Sequence, residues 1–157
     1  MMTVDLFDFS RNRNLIIPCL VFLSQMGKSL AAESSLIESL HRFIRKLNDE
    51  EEALVVVEGV RDAKALRESG FDGEVFMLCH KNNVLKLEET AARFRKTILL
   101  LDNDNEGRKL RERTIRILNG RVKIDTFYQR ELLPASKGKI RHVEELAPYA
   151  ERVSRRV

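Results

Sequence analysis

The stretch Thr97-Ile98-Leu99-Leu100-Leu101-Asp102-Asn103-Asp104-Asn105-Glu106-Gly107 decides how the rest of the chain is read. It opens as an apolar run of the length of a buried parallel strand. The run stops at two carboxylates one residue apart, and a glycine and a long amphipathic segment come next. Two Asp at i and i+2 point to the same side of an extended segment. Held that close, their charges repel unless a cation or a proton intervenes. For oxygen-only ligands that cation is Mg²⁺ or Mn²⁺. Asp, Asn and Gly are also ordinary turn and cap residues. Taken alone, residues 102–107 read as turn chemistry before they read as a metal site; their surroundings shift that balance.

Upstream, Ala53-Leu54-Val55-Val56-Val57-Glu58-Gly59 repeats the design: an apolar strand ending in a carboxylate and a glycine. Asp62 is placed to cap a short helix carrying Ala65 and Leu66, closed by Gly70. Residues 75–79 read as a second strand and 85–95 as a helix. Residues 97–102 are the third strand, and 106–119 a helix ended by Asn119-Gly120. Residues 122–128 alternate apolar and polar, as a strand exposed on one side does. Residues 133–140 read as loop, and a last helix starts near His142. Ahead of the first strand, Ser34 or Ser35 is placed to cap a helix whose stripe is Leu36, Ile37, Leu40, Ile44 and Leu47. The alternation predicts an α/β fold: a mostly parallel four-stranded sheet flanked by helices, with added N-terminal and C-terminal helices. In such sheets functional groups gather beyond the carboxyl ends of the strands. If the strands ending at Glu58 and Asp102 are neighbours, Glu58, Asp102 and Asp104 share one acidic cleft.

With 157 residues, the chain is of single-domain size. A net charge of +4 leans towards an anionic partner. Cys19 and Cys79 form no CxxC, and His41, His80 and His142 are scattered. A zinc site is therefore not expected, and reduced thiols in a cytoplasmic protein are. With no Trp and few aromatics, no stacking platform for single-stranded nucleic acid is evident.

Residues 1–25 are the puzzling part. The uncharged run of residues 15–23 comes after basic Arg11 and Arg13, and it is too short to span a bilayer. It reads as a signal-peptide layout, as a buried extra strand, or as an extension preceding a native start at Met26. The last is preferred, because residues 26–157 read as a complete cytoplasmic domain. The expected organisation is an extension over 1–25, a helix over 26–51, a catalytic-type domain over 52–130 and a C-terminal loop and helix over 131–157. No membrane association is expected.

Val56-Val57-Glu58-Gly59 with Asp62, and then Asp102-Asn103-Asp104-Asn105-Glu106-Gly107, resembles the two-part motif of the Toprim domain. That domain occurs in primases, topoisomerases, the 5S rRNA maturation ribonuclease, and small stand-alone proteins, which this chain resembles most. The resemblance implies a Toprim-like (Rossmann-like) sheet. It implies Glu58 as general acid/base or metal ligand, Asp102 and Asp104 as the Mg²⁺ pair, and Gly59 and Gly107 as glycines where the backbone turns closely at the site. Phosphoryl transfer needs a cation to neutralise phosphate charge and a group to move a proton. Arg61, Arg108 and Lys109 are candidate phosphate contacts, weighed against plain surface charge. Asp62 is a helix cap first and a site residue second. Asn103 stands where many members carry Pro or Gly. Tyr128 and Tyr149 read as core or surface residues, and His142 as a surface or cap residue. Three functions are compatible with these residues. The first is an Mg²⁺-dependent (or Mn²⁺-dependent) nuclease-like enzyme on RNA or DNA. The second is a non-catalytic nucleic-acid-binding or accessory subunit completed by a protein partner. The third is an α/β domain whose acidic residues are turns and caps.

Overall fold

The computed structural model describes residues 13–79 and 83–156, with side chains from residue 25 onward apart from 84 and 85. The chain divides into two compact units, Met1–Ser35 and Leu36–Val157. In the first, the described residues are helical. The helix α1, Arg13–Asn48, begins 21 residues before the expected cap at Ser34 (34 − 13). Residues 15–23, for which an extra strand is one of the readings, are part of that helix. Among the described residues no helix is long and apolar enough to cross a membrane.

The second unit is built on a four-stranded, all-parallel sheet: β1 (Ala53–Val57), β2 (Glu74–Met77), β3 (Lys96–Leu100) and β4 (Lys123–Asp125), in the order β2-β1-β3-β4. The helices α2 (Val60–Glu68), α3 (Val84–Ala91) and α4 (Asn105–Leu118) connect successive strands. Strand β1 pairs with β3 in a register that sets Val57 beside Leu100. Both strands are buried throughout their last four residues, all apolar except Thr97, as a strand covered on both faces is.

Alternate residues sort into two layers. Val55, Val57, Ile98 and Leu100 pack with Leu36, Leu40, Ile44 and Leu47 of α1 and with Leu66 of α2. Leu54, Val56, Leu99 and Leu101 pack with Leu87 of α3 and Leu118 of α4. Successive strands step from β1 outward to β2, then back across β1 to β3. The strand order therefore reverses between β1 and β3. The region beyond the carboxyl ends at such a reversal is the usual place for a ligand in open α/β sheets.

The C-terminal part departs from the expected pattern. The strand expected over 122–128 ends at Asp125, and α5 (Phe127–Ala135) takes in part of the expected loop over 133–140. The physical reason is local. Asp125 Oδ1 accepts the Phe127 N–H at 2.7 Å, which turns the chain out of the sheet. Tyr128 then faces Phe43, edge to face at 5.9 Å, and its hydroxyl donates to Glu50 Oε1 at 2.7 Å. The expected last helix is a 3-10 helix, Val143–Tyr149, running into the short α6, Ala150–Ser154. Glu145 closes its start by accepting the N–H groups of Arg141 at 2.6 Å and His142 at 3.2 Å.

Candidate metal centre

Two of the candidate carboxylates are delivered by strand ends. Glu58 comes directly after the last residue of β1, and Asp102 lies two residues past the end of β3. Because β1 and β3 are hydrogen-bonded neighbours, the two sit side by side. Asp104 caps α4: its Oδ1 accepts the Gly107 N–H at 2.6 Å. This leaves its second carboxylate oxygen outside the cap.

Gly107 is required by space. A Cβ there would lie 2.2 Å from the Asp102 carbonyl oxygen. The α4 N-terminus is thus seated directly on the Asp102 backbone. Gly59 differs: its backbone is extended (φ −145°) and the nearest atom to an added Cβ is Asp62 Oδ2 at 3.9 Å. Asp62, 6% exposed, uses its carboxylate structurally. Oδ2 accepts the Gly59 N–H at 2.9 Å and Oδ1 the Glu144 N–H at 3.1 Å. It ties the β1–α2 turn to the 3-10 helix.

Glu58 is the chemically unusual member. Its Oε2 is buried and has no hydrogen-bond partner among the described residues. Burial first, and then the negative charges of Asp102, Asp104, Asp62 and Glu106, push its carboxyl above the usual glutamate range. Protonation or a bound cation would satisfy such an unpartnered carboxylate oxygen and relieve the repulsion of its neighbouring carboxylates. Among the described residues, no group of three or more His, Cys, Asp or Glu side chains is placed to hold a metal ion by itself. A hard cation that keeps most of its waters does not need such a group; one or two carboxylates suffice. The carboxylates of Asp102 and Asp104 are oxygen donors of the type such a cation takes.

The three candidate phosphate contacts are all exposed. Arg61 lies 3.8 Å from Glu144 Oε2, and Arg108 is hydrogen-bonded to Asn105. Lys109 is next to it in the first turns of α4.

Two residues join the site that motif spacing does not single out. His142 Nδ1 donates to Asp102 Oδ2 at 3.0 Å. Gln129, on α5 and 5% exposed, donates to the Leu101 carbonyl and to Asn103 Oδ1, while its own Oε1 accepts from Arg111 at 2.7 Å. Gln129 thereby fixes the loop between the two aspartates.

The His142–Asp102 contact makes stability depend on pH. The hydrogen bond to Asp102, reinforced by Glu145 and Asp104, raises the imidazole pKa above its ordinary value. Its contribution is therefore fully present below about pH 6.5 and is lost as pH rises through the raised value. Partial exposure keeps it below about 1 kcal/mol. In chelator, the melting temperature of the wild type is expected to fall relative to His142→Ala, by about 2–4 °C at most, on going upward through that window. Parallel pH profiles of the two proteins would remove His142 from this role.

Comparison with known proteins agrees with this architecture. Residues 53–147, more than half of the chain, match the Toprim domain. A UPF0292 protein of Thermococcus gammatolerans is 36% identical over 113 residues, covering 69% of this chain and 84% of that protein. A UPF0292 protein of Pyrococcus horikoshii is 34% identical over 127 residues, covering 76% and 92%. A solved structure, a putative protein from Aquifex aeolicus, superposes with a TM-score of 0.52 at 27% identity, over 71% of this chain and 95% of that one. The chain belongs to the Toprim domain family, whose domains are generally metal-binding and related to nucleic acid.

Proposed function

We propose that this protein cleaves or transfers phosphodiester bonds of a nucleic acid in an Mg²⁺-dependent reaction. The observation that carries this reading is the buried, unpartnered Oε2 of Glu58 at the strand-order reversal, beside the strand end that bears Asp102. Asp102 and Asp104 hold the ion, with Mn²⁺ as a substitute. When bound, Mg²⁺ neutralises charge developing on the phosphate oxygens. Glu58, whose carboxyl is pushed above the ordinary glutamate range by burial and by the neighbouring carboxylates, is the group that moves the proton in general acid–base work. Gln129 and His142 orient the Asp102–Asp104 loop. Arg108 and Lys109, near the start of α4, and Arg61 on α2 give the approaching strand its counter-charge.

A second reading, binding without turnover, is favoured by one feature: Asp104 spends one oxygen on its cap and Asp102 one on His142. A mixed pool of RNA and DNA oligonucleotides separates the two. Cleavage is expected with Mg²⁺ or Mn²⁺, absent in chelator, and at least about tenfold slower in the Asp102→Ala/Asp104→Ala double variant. Salt-sensitive binding with no cleavage under either metal would establish the second reading. Cleavage unchanged in the double variant would sink the first.

A further inference from the structure

Beside the acidic centre lies a cleft of ≈ 330 Å³, lined by Asn103, Asp104, Gln129, Leu133, Arg141 and His142. It is bounded by the β3–α4 loop, by α5 and by the chain leading into the 3-10 helix. It shares Asp104 with the acidic centre, and His142 joins the two through Asp102. A ligand seated in it is therefore next to whatever the carboxylates hold.

The lining changes character away from the carboxylates. Arg141 is exposed, and its charge acts on Glu145, whose carboxylate accepts the Arg141 backbone N–H. Arg111 stands behind the wall, donating to Gln129 Oε1 at 2.7 Å and to Asn103 Oδ1 at 3.4 Å. With Asn103 Oδ1 also accepting from Gln129 at 3.3 Å, the Asn103 side-chain NH₂ is left as a donor that the network does not use. Leu133, 39% exposed, gives an apolar surface on the opposite wall. An acidic centre thus adjoins a chamber with an exposed guanidinium, a fixed amide donor, an imidazole and an apolar face. These are the groups that hold a phosphate, read a base edge and cover a base plane. The volume is at the low end for ligand clefts. It admits one nucleotide and excludes a stacked pair, so a paired base would first have to leave its stack.

We propose that this cleft is a subsite for one unpaired nucleotide of a polynucleotide strand, flanking the phosphate held at the acidic centre. This rests on the proposed function and adds to it a preference for single-stranded substrate. Arg141 binds the flanking phosphate, Asn103 contacts the base edge, and Leu133 and His142 cover its faces. Gln129 is a positioning residue, since its own donors and acceptor are used within the protein.

The test is binding of labelled single-stranded RNA and DNA oligonucleotides of about 12 residues, a length within usual single-strand site sizes, and of their blunt duplexes. Ca²⁺ replaces Mg²⁺ so that no cleavage is required. Leu133→Trp, which fills the cleft from an exposed position, and Arg141→Glu are each expected to raise the Kd for single strands about tenfold or more. For Leu133→Trp, duplex binding should change little, and both variants should keep the wild-type melting temperature. The RNA and DNA arms report which sugar the subsite accepts. Single-strand affinity unchanged in both variants, or a wild-type preference for blunt duplex, overturns the subsite and leaves the proposed function standing. No binding of any polynucleotide by the wild type overturns both.

Discussion

Gly107→Ala is expected to cost about 3 kcal/mol or more, whereas Gly59→Ala is expected to be nearly neutral. The contrast is one of space. The new methyl at residue 107 would sit 2.2 Å from the Asp102 carbonyl oxygen and 2.8 Å from its carbonyl carbon. Both are backbone atoms, so no side-chain rotation relieves the overlap. Either α4 moves off the end of β3 or the Asp102–Asp104 loop is pushed out. Each route breaks the Gly107 N–H bond to Asp104 Oδ1 and strains the packing of Leu118 and Thr114, which are fully buried on the same helix. Overpacking alone reaches about 3 kcal/mol, and loss of a cap adds about 1. For a chain of this size that is a fall in melting temperature of roughly 6–12 °C or more. At residue 59 the backbone is extended and the nearest atom, Asp62 Oδ2, is in ordinary contact distance at 3.9 Å. Thermal melts of both variants decide the matter. A Gly107→Ala protein melting within about 2 °C of wild type would mean that α4 is not seated on Asp102 as described.

The sheet is legible in the sequence because its two central strands each carry an unbroken apolar run. Residues 54–57 and 98–101 are buried on both faces, and only a doubly covered strand tolerates such runs. Their adjacency is not legible. It is a property of the β2-β1-β3-β4 order, which local pattern does not contain, and the shared cleft depends on it. The elements that depart from their local pattern have the same origin. Residues 122–128 keep the period of a strand, yet the Asp125 side chain captures the Phe127 N–H and sends Tyr128 to Phe43, a partner 85 residues away (128 − 43). Ser34 and Ser35 have the chemistry of caps, but α1 runs through them. His142 and Gln129 carry no signal at all. A lone histidine and a lone glutamine in charged segments look like surface, and only the docking of α5 and the 3-10 helix brings them to residues 101–103. Of the site, sequence reveals what the strand ends carry and conceals what later elements bring to them.

Glu58→Gln is expected to move activity and stability in opposite directions. Loss of the proton-carrying carboxyl should slow nucleic-acid cleavage by roughly 10²–10⁴-fold, the usual worth of a positioned acid–base group. The stability change comes from the same carboxyl. Its pKa is raised by burial and by four neighbouring carboxylates. Between the ordinary glutamate value near 4.3 and the raised value, the folded protein holds a proton that the unfolded chain has released. Stability therefore falls as pH rises through that window, and above it the ionised Glu58 costs free energy. Glutamine keeps the shape and removes the charge. In chelator at a pH above that window, the variant should melt higher than wild type, by about 2–4 °C for each kcal/mol of repulsion relieved. At low pH, where Glu58 is protonated in the wild type, the difference should vanish. Added Mg²⁺ should raise the wild-type melting temperature by binding the folded state, and raise that of Glu58→Gln less. These signs separate a site residue from a structural one. A buried glutamate that merely supports the fold would lower the melting temperature when replaced, at every pH and with or without metal. Such a result, together with retained cleavage, would remove Glu58 from the centre and leave Asp102 and Asp104 as a cap and a turn. The expected outcome instead ties a local instability to the chemistry it serves: the crevice is poorly satisfied without its cation and proton because its carboxylates face one another.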